Sequence, residues 1–314
     1  MLTLSREADA LTERNGNPGP GAASTGEELD LRTSPAEALT TYRFLRFGIL
    51  AAVVMLAMSV LYEARKAPSG CWQTSISAYY YTPVRSIFVG GLMVIGFSLI
   101  VIRGRTKTED FCLNLAGMLA PVVALVPTSG AGNCSSYPPL PDLTVTKYTD
   151  KKLPEWVEAG VQNNMFALFA AGVFAVLIIV SLIVRGGPRQ RAKLTTENPN
   201  GRFSLSLLVT IGILGIGMVL FKWQPFRESA HEVAAILMFV FLGVVVFQNE
   251  RGCKTLGYKR LYRGIWVSMG LSLLVLLPFW KPDHATLWLE ILEIGLFAAF
   301  WVVETKEQWN RIEA

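Results

Sequence analysis

Glu290 and Glu293 are the residues of this 314-residue chain whose position most demands a chemical explanation. Both stand inside an apolar run at about 285–303, and a spacing of i, i+3 puts their carboxyl groups on one face of a helix. Counting from a cap at Asp283, at about 1.5 Å per residue, Glu293 lies ~15 Å along that helix, close to the middle of a ~30 Å hydrocarbon layer. Two carboxylates in so low a dielectric repel each other, so the pair requires a proton, a cation or an arginine. Ionisable groups at that depth serve a ligand or an ion, or else hydrogen-bond to a neighbouring helix.

Ser77, Tyr80, Arg85 and His231 open other apolar runs on the same predicted side, which makes one polar cluster of the six. A serine and a histidine within hydrogen-bond reach would be a nucleophile and its base, suited to hydrolysis of a lipid head group. Each residue also has a plainer reading. Tyr79 to Tyr81 fit an interfacial aromatic belt, Arg85 fits a side chain reaching for head groups, and His231 and Glu232 fit the solvated first turn of a helix, with Glu232 as its capping acid. Two long loops on that side, at about 63–82 and 128–163, hold one cysteine each; Cys71 and Cys134 either bridge in an oxidising compartment or remain two thiols too far apart to bond. Cys112 and Cys253 belong near the opposite face, reduced. Without a CxxC, and with only His231 and His284 far apart, the chain offers no zinc site of standard spacing, and no cofactor is expected.

The elements that must position these groups are eight apolar runs, at about 44–62, 83–102, 111–127, 164–184, 203–221, 231–248, 264–280 and 285–303. Each approaches the ~20 residues a spanning helix needs. With 52% hydrophobic and 17% charged residues, the chain reads as all-α, a polytopic transmembrane bundle of about eight helices in which every backbone group is satisfied within its own helix. The second, fourth and sixth loops hold thirteen Lys and Arg and the odd loops eight over a greater length, which places the even loops and both termini in the cytoplasm. The net charge of +5 is mostly this asymmetry, so a nucleic-acid partner is not expected. The expected setting is the cell membrane, and the expected partners are its lipids and a small amphiphile.

Local signals refine the spans. Ser34, Pro35 and Glu37 start the first helix ahead of the membrane, Thr82 and Pro83 start the second span, Ser229 with Glu232 forms a capping box at the sixth, and Asp283 caps the eighth. Pro121 should bend span three, the short fifth and seventh loops should make tight hairpins, and Gly90, Gly91 and Gly96 should admit a close neighbour to span two. Asp110 and Glu109 suit the positive end of the third helix. Residues 1–33 have the composition of a disordered tail without the apolar core of a signal peptide, and 306–314 read as a second cytoplasmic tail.

The stretch from Ser75 to Gly91, Ser-Ile-Ser-Ala-Tyr-Tyr-Tyr-Thr-Pro-Val-Arg-Ser-Ile-Phe-Val-Gly-Gly, resembles the signature of a bacterial family of multi-spanning proteins known as a domain of unknown function. Asn114-Leu-Ala-Gly, Val123-Ala-Leu-Val-Pro-Thr, Ala230-His231, Tyr258-Lys-Arg-Leu-Tyr-Arg and Trp288-Leu-Glu290 extend the resemblance over most of 42–305, with the Ser-Ala-Tyr-Tyr block its distinctive part. Such proteins are likened to the superfamily of ceramidases and adiponectin-receptor-like proteins, hydrolases with a zinc on three histidines, a serine and an aspartate. This chain departs from that pattern, since two histidines cannot make that zinc site and Ser86 stands where the related family has an acid. The resemblance implies a membrane location and an outward pocket, with Ser77 and His231 as remnants of it.

Three functions follow as expectations. The first is a non-enzymatic membrane protein with an outward pocket near Ser77, Tyr80, Arg85, His231, Glu290 and Glu293 for a lipid or small amphiphile. The second is a proton- or ion-coupled transporter or channel using Glu290 and Glu293, which calls for repeats and broken helices, where Pro121 alone offers a break. The third is a lipid hydrolase.

Overall fold

A computed structural model of the chain describes residues 35–67, 72–128, 155–185, 202–222, 224–276 and 284–309. Among these are eight α-helices and no strand: α1 Pro35–Lys66, α2 Arg85–Val101, α3 Lys107–Leu125, α4 Glu155–Arg185, α5 Arg202–Phe221, α6 Gln224–Gly252, α7 Leu256–Leu271 and α8 Ala285–Trp309. A 3₁₀ turn, Ser77–Tyr81, precedes α2, and α7 runs on into a π-helical turn, Ser272–Leu276. From Thr41 onward the chain is one compact unit; the unit before it, Met1–Thr40, is described only over the first six residues of α1. Cys71 and Cys134, the tail 1–33 and the cap Asp283 lie outside the described residues.

Five helices have the length and composition of membrane spans: α1, α3, α4, α6 and α8. Apolar α2, at 17 residues, extends about 26 Å at 1.5 Å per residue and falls just short of that length. The exterior of the bundle agrees with lipid as its solvent. Phe44, Phe174, Val219 and Leu274 are each more than half exposed, at 69%, 66%, 71% and 72%, a surface that water would not tolerate in such quantity. The chain is a membrane-embedded helical bundle.

Helix α3 forms its axis, packed most extensively against α6 and α2, while α7 lies on α6 and α8. Small residues set the α2–α3 distance: a Cβ on Gly96 would stand 2.9 Å from the Gly117 carbonyl oxygen and 3.0 Å from Pro121 Cδ, and one on Gly117 would stand 2.7 Å from the Gly96 carbonyl oxygen. This is the close approach expected of span two, carried by Gly96 alone. Gly90 has open space around it and Gly91 only an ordinary contact at 3.8 Å.

Several helix ends differ from the sequence reading. α6 begins at Gln224, so Ser229 and Glu232 lie within the helix and do not cap it. Pro225, whose missing N–H costs nothing in a first turn, stands at the actual start. α2 begins at Arg85, because Thr82 and Pro83 belong to the preceding turn, where the Thr82 hydroxyl accepts from the Val84 N–H at 3.3 Å. A side-chain cap does stand at α3: Thr106 Oγ1 accepts from the Glu109 N–H at 3.1 Å, while the Glu109 carboxylate reaches back past the cap to the Arg105 N–H at 3.0 Å. α8 runs to Trp309, past the expected start of a tail at 306.

One stripe of α8 faces inward along its whole length. Glu293, Phe297, Phe300, Glu304 and Glu307 are buried on it at alternating spacings of four and three, so acids at either end flank an aromatic middle that Trp301 completes.

Candidate functional site

The site is assembled on the 3₁₀ turn before α2. Ser75 starts that turn, its hydroxyl accepting from the Ala78 N–H at 2.9 Å, and the Thr82 hydroxyl closes it by donating to the Tyr79 carbonyl at 2.7 Å. Tyr79 and Tyr80 anchor the turn with side chains buried against α1 and α3 residues such as Leu56 and Val123, and the Tyr81 hydroxyl donates to the Thr128 carbonyl at 2.8 Å. Burial pushes the Tyr79 phenol up from its ordinary value, so it stays neutral.

Ser77 is thereby held between two groups from distant helices. Its Oγ lies 2.7 Å from Nε2 of His231, near the start of α6, and 3.0 Å from Oε1 of Glu290 in the second turn of α8. The other oxygen of Glu290 accepts from the Ile76 N–H and, at 3.4 Å, from the Ser77 N–H, so the carboxyl group satisfies the free donors at the head of the turn. The other nitrogen of His231, Nδ1, lies 2.5 Å from the Val126 carbonyl oxygen.

Donor inventory places the protons. A carbonyl only accepts, so His231 Nδ1 carries hydrogen. In the neutral ring Nε2 then accepts from the Ser77 hydroxyl, whose oxygen accepts from a protonated Glu290. With an imidazolium and an ionised Glu290, Ser77 accepts from the ring and donates to the carboxylate. Both arrangements hold the same number of protons and differ only in their placement, so Glu290, Ser77 and His231 form one hydrogen-bonded chain.

His231 and Glu290 also face a cavity of about 430 Å³. Thr74, Ser75, Thr128 and Glu232 add to its polar part, and Ile236, Phe239, Leu273 and Leu289 give it an apolar wall. Glu293 completes it from one turn deeper. That side chain is 1% exposed; one oxygen bonds to the hydroxyl of Ser272, at the head of the π-helical turn, and the other has no partner. A buried acceptor left so costs roughly 1–3 kcal/mol. Insertion of a π turn where Ser272 meets an intramembrane acid is the irregularity in which functional helices often differ from plain spans.

Of the six sequence candidates, the structure brings Ser77, His231 and Glu290 into direct contact and sets Glu293 on the same cavity. Tyr80 and Arg85 stand apart as a pair: the guanidinium lies over the Tyr80 ring at 4.4 Å, donates to its hydroxyl at 2.9 Å, and neither residue lines the cavity. Thr74 and Ser272 escaped notice, being hydroxyls in unremarkable contexts, and Thr128 entered only as the end of the Val123-Ala-Leu-Val-Pro-Thr stretch. Ser272 alone left a signal, as a polar residue inside an apolar run.

A second buried polar network occupies the opposite end of the bundle, where the sequence placed little besides Asp110 and Asn114. Glu304 pairs with Arg46 at 3.3 Å, Glu307 accepts from the Tyr262 hydroxyl at 2.7 Å with Arg105 at 3.9 Å, and Glu109 accepts from Asn249 at 2.8 Å. Polar burial is therefore bipolar and does not belong to one end. Among the described residues no group of three or more His, Cys, Asp or Glu has the arrangement to hold a metal ion. No protein-family model, no curated protein and no solved structure matches this chain.

Proposed function

We propose that this chain is an integral protein of the cell membrane, with both termini cytoplasmic, that holds a lipid or small amphiphile in an outward-facing pocket and performs no catalysis on it. The observation that carries the reading is the 430 Å³ cavity, whose polar part is built from His231, Glu290 and Glu293 and whose wall is apolar. Its volume lies within the range of small-molecule sites, and its two surfaces match the two halves of an amphiphile. The excess of basic residues in the even loops supports the orientation. The resemblance of the Ser75–Gly91 stretch to a bacterial multi-spanning family fits this reading. The test is mass spectrometry of the protein purified in nanodiscs. A bound amphiphile is expected, lost in Ala235→Trp, which puts an indole into the cavity; recovery of nothing beyond bulk lipid from both proteins would end the proposal.

Hydrolysis is the second reading, favoured by the 2.7 Å contact between Ser77 and His231. It ranks lower because Ser77 does not line the cavity and because a backbone carbonyl, with no countercharge, orients the imidazole. A fluorophosphonate probe should leave Ser77 unmodified; labelling that disappears in Ser77→Ala would reverse the ranking. A transporter or channel draws support from the π-helical turn beside Glu293. It requires proton or solute flux in proteoliposomes that falls in Glu293→Gln.

A further inference from the structure

We infer that the cavity selects an amphiphile whose head is a positively charged, hydrogen-bond-donating nitrogen, such as a primary alkylamine, seated against Glu293. This rests on the pocket reading above and specifies its ligand.

The wall chemistry is one-sided. Three carboxyl groups face the cavity, Glu232, Glu290 and Glu293, and among the described residues no lysine or arginine does. The one basic ring, His231, has both nitrogens engaged, by the Val126 carbonyl and by Ser77, and so has no free donor for an anion. Arg85, the nearest candidate by sequence, is held on Tyr80 away from the cavity. A phosphate or carboxylate head would therefore bring acceptors and negative charge to a wall of carboxyl groups that offers it no basic side chain.

The two deep carboxyl groups are not equivalent. Glu290 is engaged at both oxygens, one by the Ile76 and Ser77 N–H groups and the other by the Ser77 hydroxyl. Glu293, one turn further in and 1% exposed, keeps one oxygen without any partner. An ammonium supplies what is missing there: three donors, no acceptor and a compensating charge. A hydroxyl head supplies a donor but not the charge. The apolar wall of Ile236, Phe239, Leu273 and Leu289 takes the alkyl chain, so head and tail are recognised by separate parts of one cavity.

The test compares three probes of equal chain length, dodecylamine, dodecanol and dodecanoate, by native mass spectrometry of the full chain released from zwitterionic nanodiscs. Dodecylamine should bind at least tenfold more tightly than the other two. Glu293→Gln should remove that preference, and Ala235→Trp should remove all binding. Equal binding of the alcohol or the acid, or an unchanged preference in Glu293→Gln, would overturn the head-group assignment while leaving the pocket in place. Failure of all three probes, or binding indifferent to Ala235→Trp, would overturn the pocket and this inference with it. The three-probe comparison on the unaltered protein decides the matter should Glu293→Gln not fold.

Discussion

At the scale of single residues, Ser77 is the most connected polar group in the site, since one hydroxyl closes the gap between α6 and α8. Ser77→Ala should leave Glu290 Oε1 and His231 Nε2 without that partner, at roughly 1–3 kcal/mol for each unmet group, and thermal unfolding in detergent should show a clear fall in Tm. Arg46 poses the corresponding question at the other end. Arg46→Met leaves Glu304 buried without a countercharge, its Oε1 keeping only the Gln308 amide at 2.8 Å, and should cost roughly 3–5 kcal/mol, whereas Arg46→Met combined with Glu304→Gln should recover much of the loss. A double-variant cycle read by chemical unfolding checks both halves. The sequence disclosed Ser77, His231 and Glu290 as residues of one side. It did not disclose their contact, because a 3₁₀ turn aims successive side chains in directions that apolar periodicity does not encode. The same turn sends Tyr80 toward Arg85 and Ser77 between His231 and Glu290, and so three of the six candidates do not line the cavity.

At the scale of elements, α2 and α3 touch backbone to backbone. Gly117→Ala would put a Cβ 2.7 Å from the Gly96 carbonyl, which no rotamer change relieves, and should cost roughly 1–3 kcal/mol and lower the yield of folded protein. Gly90→Ala, with open space around it, should stay within about 0.5 kcal/mol in the same unfolding measurement. Removing the cap in Thr106→Ala should cost about 1 kcal/mol. Eight apolar runs were legible as eight helices, since lipid demands internally bonded helices wherever apolar residues run long. The ends were not. Hydropathy stops at a charge, but a helix continues wherever the charge finds a partner, as α8 does past Glu304 and Glu307 and α6 does through Asn249 and Glu250.

At the scale of the whole molecule, the buried side chains divide the bundle into a polar cluster, an aromatic middle and a second polar cluster. If the orientation read from the loop charges is right, an impermeant thiol reagent applied to intact cells should label a cysteine introduced at Glu232, beside the cavity, and should leave one introduced at Lys254 untouched. The reverse pattern would invert the topology.

That arrangement gives α8 a mechanical role. Glu290 and Glu304 stand 14 positions apart on one helix, about 21 Å at 1.5 Å per residue, with no proline between them to act as a joint. The helix is continuous between them, so it has no joint at which an axial displacement of Glu290 would be absorbed before the Arg46 and Tyr262 contacts. Those contacts, 3.3 Å at Arg46 and 2.7 Å at Tyr262, tie this end of α8 to α1 and α7. One continuous helix thus joins the cavity at one end to the buried Arg46–Glu304 pair at the other.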